Sequence, residues 1–141
     1  MTSGAAALPA LFLSGSSNTI SLAYIQGSTA VVVSASTGTA ISSSTFVAVA
    51  ATGDALFLTG GSVNLTVASS TLRGGSAGRG LKLNAGNSGV VSVGSVTVTG
   101  AARGIEVSTQ GASFSLAVDS VTFRGLSAGA TAIHFLGGTF V

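Results

Sequence analysis

Short segments in which apolar residues alternate with other residues recur along the whole chain, among them Leu56-Phe57-Leu58, Leu81-Lys82-Leu83 and Ile105-Glu106-Val107. A period of two marks a strand with one buried face, and each segment runs into Gly and Ser residues suited to turns. These segments align with Leu11-Phe12-Leu13, Val31-Val32-Val33 and Ile133-His134-Phe135 into one column, with steps of 20, 25, 25, 24 and 28 residues. A second column runs through Ile25, Phe46, Leu72, Val98 and Phe123 with steps of 21, 26, 26 and 25. Each member is followed two residues later by Gly or Ala: Gly27, Ala48, Gly74, Gly100 and Gly125. A third runs through Ile20, Ile41, Val67, Val93 and Val118, with Leu65, Val91 and Leu116 two residues ahead of the last three.

Three short strands per repeat, each feeding a turn, predict an all-β, single-domain parallel β-solenoid of about five coils of roughly 25 residues. Each coil buries its apolar face only against its neighbours and advances by one strand spacing, so five steps make a rod about 24 Å long. Leu56, Leu58, Leu81, Leu83, Ile105, Val107, Ile133 and Phe135 are expected inside, together with Phe46, Leu72, Val98 and Phe123. The glycines after the second column are expected at a tight corner with positive φ, which a side chain would penalise. Residues 1–10 form a lead-in or partial cap and residues 11–141 the coils.

The phrase Ser-x-Thr, an apolar residue, any residue, then Gly occurs as Ser95-Val96-Thr97-Val98-Thr99-Gly100 and Ser120-Val121-Thr122-Phe123-Arg124-Gly125, with a shorter form at Ser70-Thr71-Leu72-Arg73-Gly74. With the coil spacing, these phrases resemble the right-handed parallel β-helix, the pectate-lyase-like superfamily whose coils also occur in adhesins and surface repeat proteins. The resemblance covers nearly the whole chain and implies a right-handed solenoid. In its enzymes it implies cleavage of acidic polysaccharides by clustered carboxylates, often with calcium, and an Arg or Lys base.

Composition narrows the choice. At 46% hydrophobic and 6% charged, with 21 Gly and one Pro, the 141-residue chain has material for a core and must build its surface from Ser, Thr, Gly, Ala and Asn. Its basic isoelectric point rests on five Lys and Arg against three Asp and Glu. No basic cluster or aromatic platform is present for nucleic acid. The absence of Cys removes disulfides and thiolate chemistry, and no stretch reaches the ~20 apolar residues of a membrane helix. Ala5–Leu13 is apolar but interrupted by Pro9 and not preceded by positive charge, unlike a signal peptide.

Candidate chemistry is sparse. The carboxylates Asp54, Glu106 and Asp119 fall in different columns or two coils apart, so no pair is expected to share a calcium ion or divide acid and base roles. The outward residues of the first column read Phe12, Val32, Phe57, Lys82, Glu106 and His134. Lys82 and Glu106 are therefore expected to pair on the surface with His134 beside them, a ladder worth under about 1 kcal/mol. A general-base dyad of His134 and Glu106 lacks a nucleophile fixed by any motif. Asp54 is expected to pair with Arg79 while Arg103 faces solvent. Arg73, Arg103 and Arg124 are candidate ligand contacts, and Asn64-Leu65-Thr66 is a glycosylation sequon. Thr45, Thr71, Thr97 and Thr122 line up outward, but the companion row Val47, Arg73, Thr99 and Arg124 breaks the regular array that ice binding needs. In Gly74–Gly80, Leu81 stands where a phosphate loop needs Lys.

The expected function is a structural or adhesive β-helix segment, extracellular or on the cell surface, without catalysis or cofactor. The alternative is a polysaccharide-active or glycan-binding β-helix. Expected partners are glycans or further coils. Because the repeat is in register at Leu11 and a new strand begins at Thr139-Phe140-Val141, end-to-end self-association is also expected.

Overall fold

The computed structural model describes residues 8–137. All its regular structure is strand. The first coil holds β1 (Pro9–Ser16), β2 (Thr19–Ser21) and β3 (Tyr24–Gly27), and the second holds β4 (Thr29–Ser42) and β5 (Thr45–Ala48). The third holds β6 (Leu56–Thr59), β7 (Val63–Ala68) and β8 (Thr71–Arg73). The fourth holds β9 (Arg79–Leu83), β10 (Ser88–Gly94) and β11 (Thr97–Thr99). The fifth holds β12 (Arg103–Val107), β13 (Phe114–Asp119) and β14 (Thr122–Arg124), after which β15 (Thr131–Phe135) begins another turn. The expected strand at Thr139–Val141 lies outside the described residues, as do residues 1–7 of the expected lead-in. β1 takes in Pro9 and Ala10, ahead of Leu11.

Every strand pairs in parallel with its equivalents one coil away. Leu11, Val31, Leu56, Leu81, Ile105 and Ile133 are consecutive partners. So are Ile25, Phe46, Leu72, Val98 and Phe123, and Ile20, Ile41, Val67, Val93 and Val118. The predicted columns are thus the register of the solenoid. Leu56, Leu81, Leu83, Leu72, Val98 and Ile105 are completely buried. Burying a side chain of this size contributes about 1.5–3 kcal/mol, and the stack repeats it on each level. Among the described residues no helix is long and apolar enough to cross a membrane.

Corner geometry departs from expectation. In the second coil the first and third columns are joined in one 14-residue strand, β4, so three separate strands per coil is not universal. Positive φ does occur at Gly100 and Gly125, but Gly27 and Gly74 are not among the residues with positive φ. At these two, crowding excludes a side chain: a Cβ on Gly27 would stand 2.7 Å from that of Ala10, and one on Gly74 2.7 Å from that of Ala101. The regular left-handed corner lies between the third and second columns, at Leu22, Ser43, Ser69, Ser95 and Ser120, with φ from 47 to 53°. There Ser43, Ser69 and Ser95 each donate their backbone N–H to a carbonyl one coil on, so the chain turns without giving up its ladder.

The corner between the first and third columns lengthens by one residue in each coil. Leu13 to Ile20, Val33 to Ile41, Leu58 to Val67, Leu83 to Val93 and Val107 to Val118 are 7, 8, 9, 10 and 11 positions apart. A side-chain ladder follows the widening. Ser36 N–H donates to Ser62 Oγ at 3.2 Å, Ser62 N–H to Asn87 Oδ1 at 3.1 Å, and Asn87 N–H to Gln110 Oε1 at 3.2 Å. The accepting oxygen moves one bond farther from its own backbone at each step, from Ser to Asn to Gln, as the corner grows.

Candidate charged site across four coils

The residue two positions ahead of each first-column strand and the outward residue within it are close enough to interact, and this spacing builds the charged site. Asp54 precedes β6, Arg79 and Lys82 lie on β9, Arg103 and Glu106 on β12, and His134 on β15. Arg79 N–H donates to Asp54 Oδ1 at 3.1 Å, and its guanidinium Nη1 stands 3.7 Å from the same oxygen. Arg79 Nε donates to Glu106 Oε1 at 3.0 Å, and Arg103 Nη1 donates to Glu106 Oε2. Lys82 Nζ lies 3.9 Å from Asp54 Oδ2 and 4.7 Å from the centre of the Phe57 ring, a cation over an aromatic face. His134 Nδ1 stands 3.9 Å from Glu106 Oε2 and has no hydrogen-bond partner.

Two expectations are corrected here. Glu106 is only 1% exposed, because Arg79 and Arg103 fold over its carboxylate from both sides. Consequently its ion-pair partners are those two arginines. Lys82, its register partner, turns instead to Asp54, and Arg103 is not left to solvent. The expected pairing of Asp54 with Arg79 is present. Spacing carried the missing signal: Arg103 and Glu106 are three residues apart on one strand, and Arg79 is the register partner of Arg103. A long arm at that position reaches the outward residue of its own strand or of the next.

Electrostatics separate the two acids. Burial pushes the Asp54 carboxyl above its ordinary value, against the pull of Arg79 and Lys82. Burial acts in the same sense on Glu106, but the Arg103 hydrogen bond and the charge and hydrogen bond of Arg79 outweigh it and hold that carboxyl below its ordinary value. Glu106 is therefore ionised with both oxygens engaged, a poor general base.

The remaining candidates lie elsewhere. Arg73, Thr99 and Arg124 are register partners on the second-column sheet, with both arginines exposed. Asn64 is exposed on β7 at φ 57°, its Oδ1 accepting the Val90 N–H at 2.8 Å. Asp119 is exposed at the end of β13 and accepts the Ser120 hydroxyl at 3.2 Å. Among the described residues no group of three or more His, Cys, Asp or Glu is placed to hold a metal ion. Compared with protein-family models, curated proteins and solved structures, the chain matches none of them.

Beside the charged site, the chain between the second and first columns changes length from coil to coil. Leu72 to Leu81 is 9 positions, Val98 to Ile105 is 7 and Phe123 to Ile133 is 10. The short middle connection leaves a slot of about 360 Å³ between its neighbours, with Arg103 and His134 among its lining. Across the slot Ser127 Oγ donates to Ser76 O at 2.7 Å, a contact that skips one coil.

Proposed function

We propose that this chain is a structural β-helix element of an extracellular or surface protein, a short stiff rod that serves as a stalk or adhesive surface. The observation that supports this most is the charged chain Lys82, Asp54, Arg79, Glu106 and Arg103. Its acids are spent on neighbouring coils, and it ties successive turns together. The arrangement suits cross-bracing better than catalysis, since Glu106 is buried beneath the two guanidinium groups that engage both of its oxygens, out of reach of a substrate. The resemblance to surface repeat proteins supports the extracellular placement and the right-handed, pectin-lyase-like form.

A second reading, glycan contact, is favoured by the exposed row Arg73, Thr99 and Arg124, whose two cations stand two strand spacings apart, about 10 Å. The decisive experiment for the structural reading is incubation with pectate and polygalacturonate, with and without calcium. No product is expected. Turnover lost on Glu106→Gln or Asp119→Ala would overturn it. A glycan array in which binding fell with Arg73→Ala and Arg124→Ala would establish the second reading.

A further inference from the structure

The slot opposite the short connection has a one-sided chemistry. Its charged or chargeable lining consists of Arg103 and His134. The acid that pairs with Arg103 is 1% exposed and fully engaged behind it. The Arg103 side chain is itself 39% exposed and spends one of its five N–H groups on Glu106. Residues 127–130 form a turn closed by Ala130 N–H to Ser127 O at 3.0 Å. Among the described residues, the backbone N–H groups of Ala128 and Gly129, the two central positions of that turn, donate to no acceptor. Both residues line the slot. The residues lining this concavity thus carry a guanidinium and two successive unengaged backbone N–H groups, donors of the kind that bind oxyanions.

The rest of the lining suits hydroxyl groups. Ser76, Ser127 and Thr131 border the slot beside the methyl groups of Ala77 and Ala102. At ~30 Å³ per water the slot has room for roughly a dozen waters, more than a bare phosphate needs. We propose that this slot is a binding site for a small hydroxylated oxyanion, of the size of a sugar acid or sugar phosphate. Its anionic group sits on Arg103 and the 128–129 amides, and its hydroxyls on Ser76, on Thr131 and on the Ser127 oxygen, which is left to accept because its hydrogen goes to Ser76 O. The site shares Arg103 with the charged brace, lies apart from the exposed arginine row, and requires no catalytic role of either.

The test is an amide chemical-shift titration of the intact chain with glucuronate, glucose 6-phosphate, inorganic phosphate and, as the uncharged control, glucose. Saturable shifts at Ala128 and Gly129 with the charged sugars, and none with glucose, are expected. The tighter of the two charged sugars identifies the anionic group as carboxylate or phosphate. Arg103→Gln should weaken binding by about tenfold or more. Since that change also loosens Glu106, a second variant is Ala128→Pro. Proline suits the second position of such a turn and removes the N–H while leaving the Glu106 pairing untouched, so binding should weaken while the melting curve stays in place. The proposal is overturned by the absence of saturable shifts with either charged sugar at concentrations on the order of 10 mM, by glucose binding as well as the anions, or by binding unchanged in Ala128→Pro.

Discussion

Arg79 joins two carboxylates of different coils: its backbone N–H holds Asp54 at 3.1 Å and its Nε holds Glu106 at 3.0 Å. It is thus the middle of a brace that reaches from Asp54, two residues ahead of β6, to β12. Breaking a buried pair by removing one partner leaves an uncompensated charge and costs about 3–5 kcal/mol. Because Arg79 and Arg103 are themselves 23% and 39% exposed, Glu106→Gln, which strips the charge they share, should lower stability by less than that, about 1–3 kcal/mol at neutral pH. Urea unfolding followed by circular dichroism measures it. A loss under about 1 kcal/mol would mean that the brace is no stronger than a surface pair.

The two acids should give opposite pH dependences. Because burial raises Asp54, the fold prefers its protonated form. Stability from this group is therefore present below its ordinary value of 3.8 and lost as pH rises through the higher folded value. Glu106 runs the other way. Its contribution is complete above 4.5 and is lost as pH falls through the lower folded value. Relative to the unmodified chain, Asp54→Asn should therefore fare better at about pH 7 than at about pH 3.5, and Glu106→Gln should fare worse at the higher pH. Urea titrations of the three proteins at both pH values decide between these signs.

Leu81 is completely buried between Leu56 and Ile105. Leu81→Ala should cost about 2–5 kcal/mol through the lost contacts and the cavity left behind. Leu81→Asp should abolish the β signal in circular dichroism, since no cation stands in that column to pair with it.

How much of this was legible in the sequence differs between core and charges. The columns could be read because the strand period of two and the recurrence of turn residues constrain the same positions independently, and Leu81, Val98 and Ile105 are buried as expected. The burial of Glu106 could not be read from alternation, which places it outward correctly. It is buried by two arginine arms whose directions depend on which coil each reaches. The left-handed corners at Ser43, Ser69, Ser95 and Ser120 were hidden for a related reason. Serine carries no strong signal for positive φ, whereas the glycines that do carry one lie at another corner. The slot was latent in the connection lengths, but became visible only once those connections were known to stack.

Reach should matter more than chemistry along the Ser62, Asn87 and Gln110 ladder. Gln110→Asn keeps the amide but shortens it by one bond, leaving the buried Asn87 N–H without its acceptor. A cost of about 1–3 kcal/mol is expected. Hydrogen exchange should show loss of protection at the Asn87 amide, with the Ser62 amide, which uses Asn87 Oδ1, less affected. Equal loss at both would indicate a general fraying of the corner.

The lengthening of that same corner makes the coils non-interchangeable. In a stack of identical turns, a chain that skipped one level would meet nearly the same neighbours and sacrifice little more than one end, so misthreaded forms would compete with the native one. Here a coil displaced by one level brings the wrong corner length and an acceptor one bond too long or too short, and leaves a buried N–H unmet on each level it passes. The penalty accumulates with every displaced coil, so each turn carries its own address and the rod folds in a single frame.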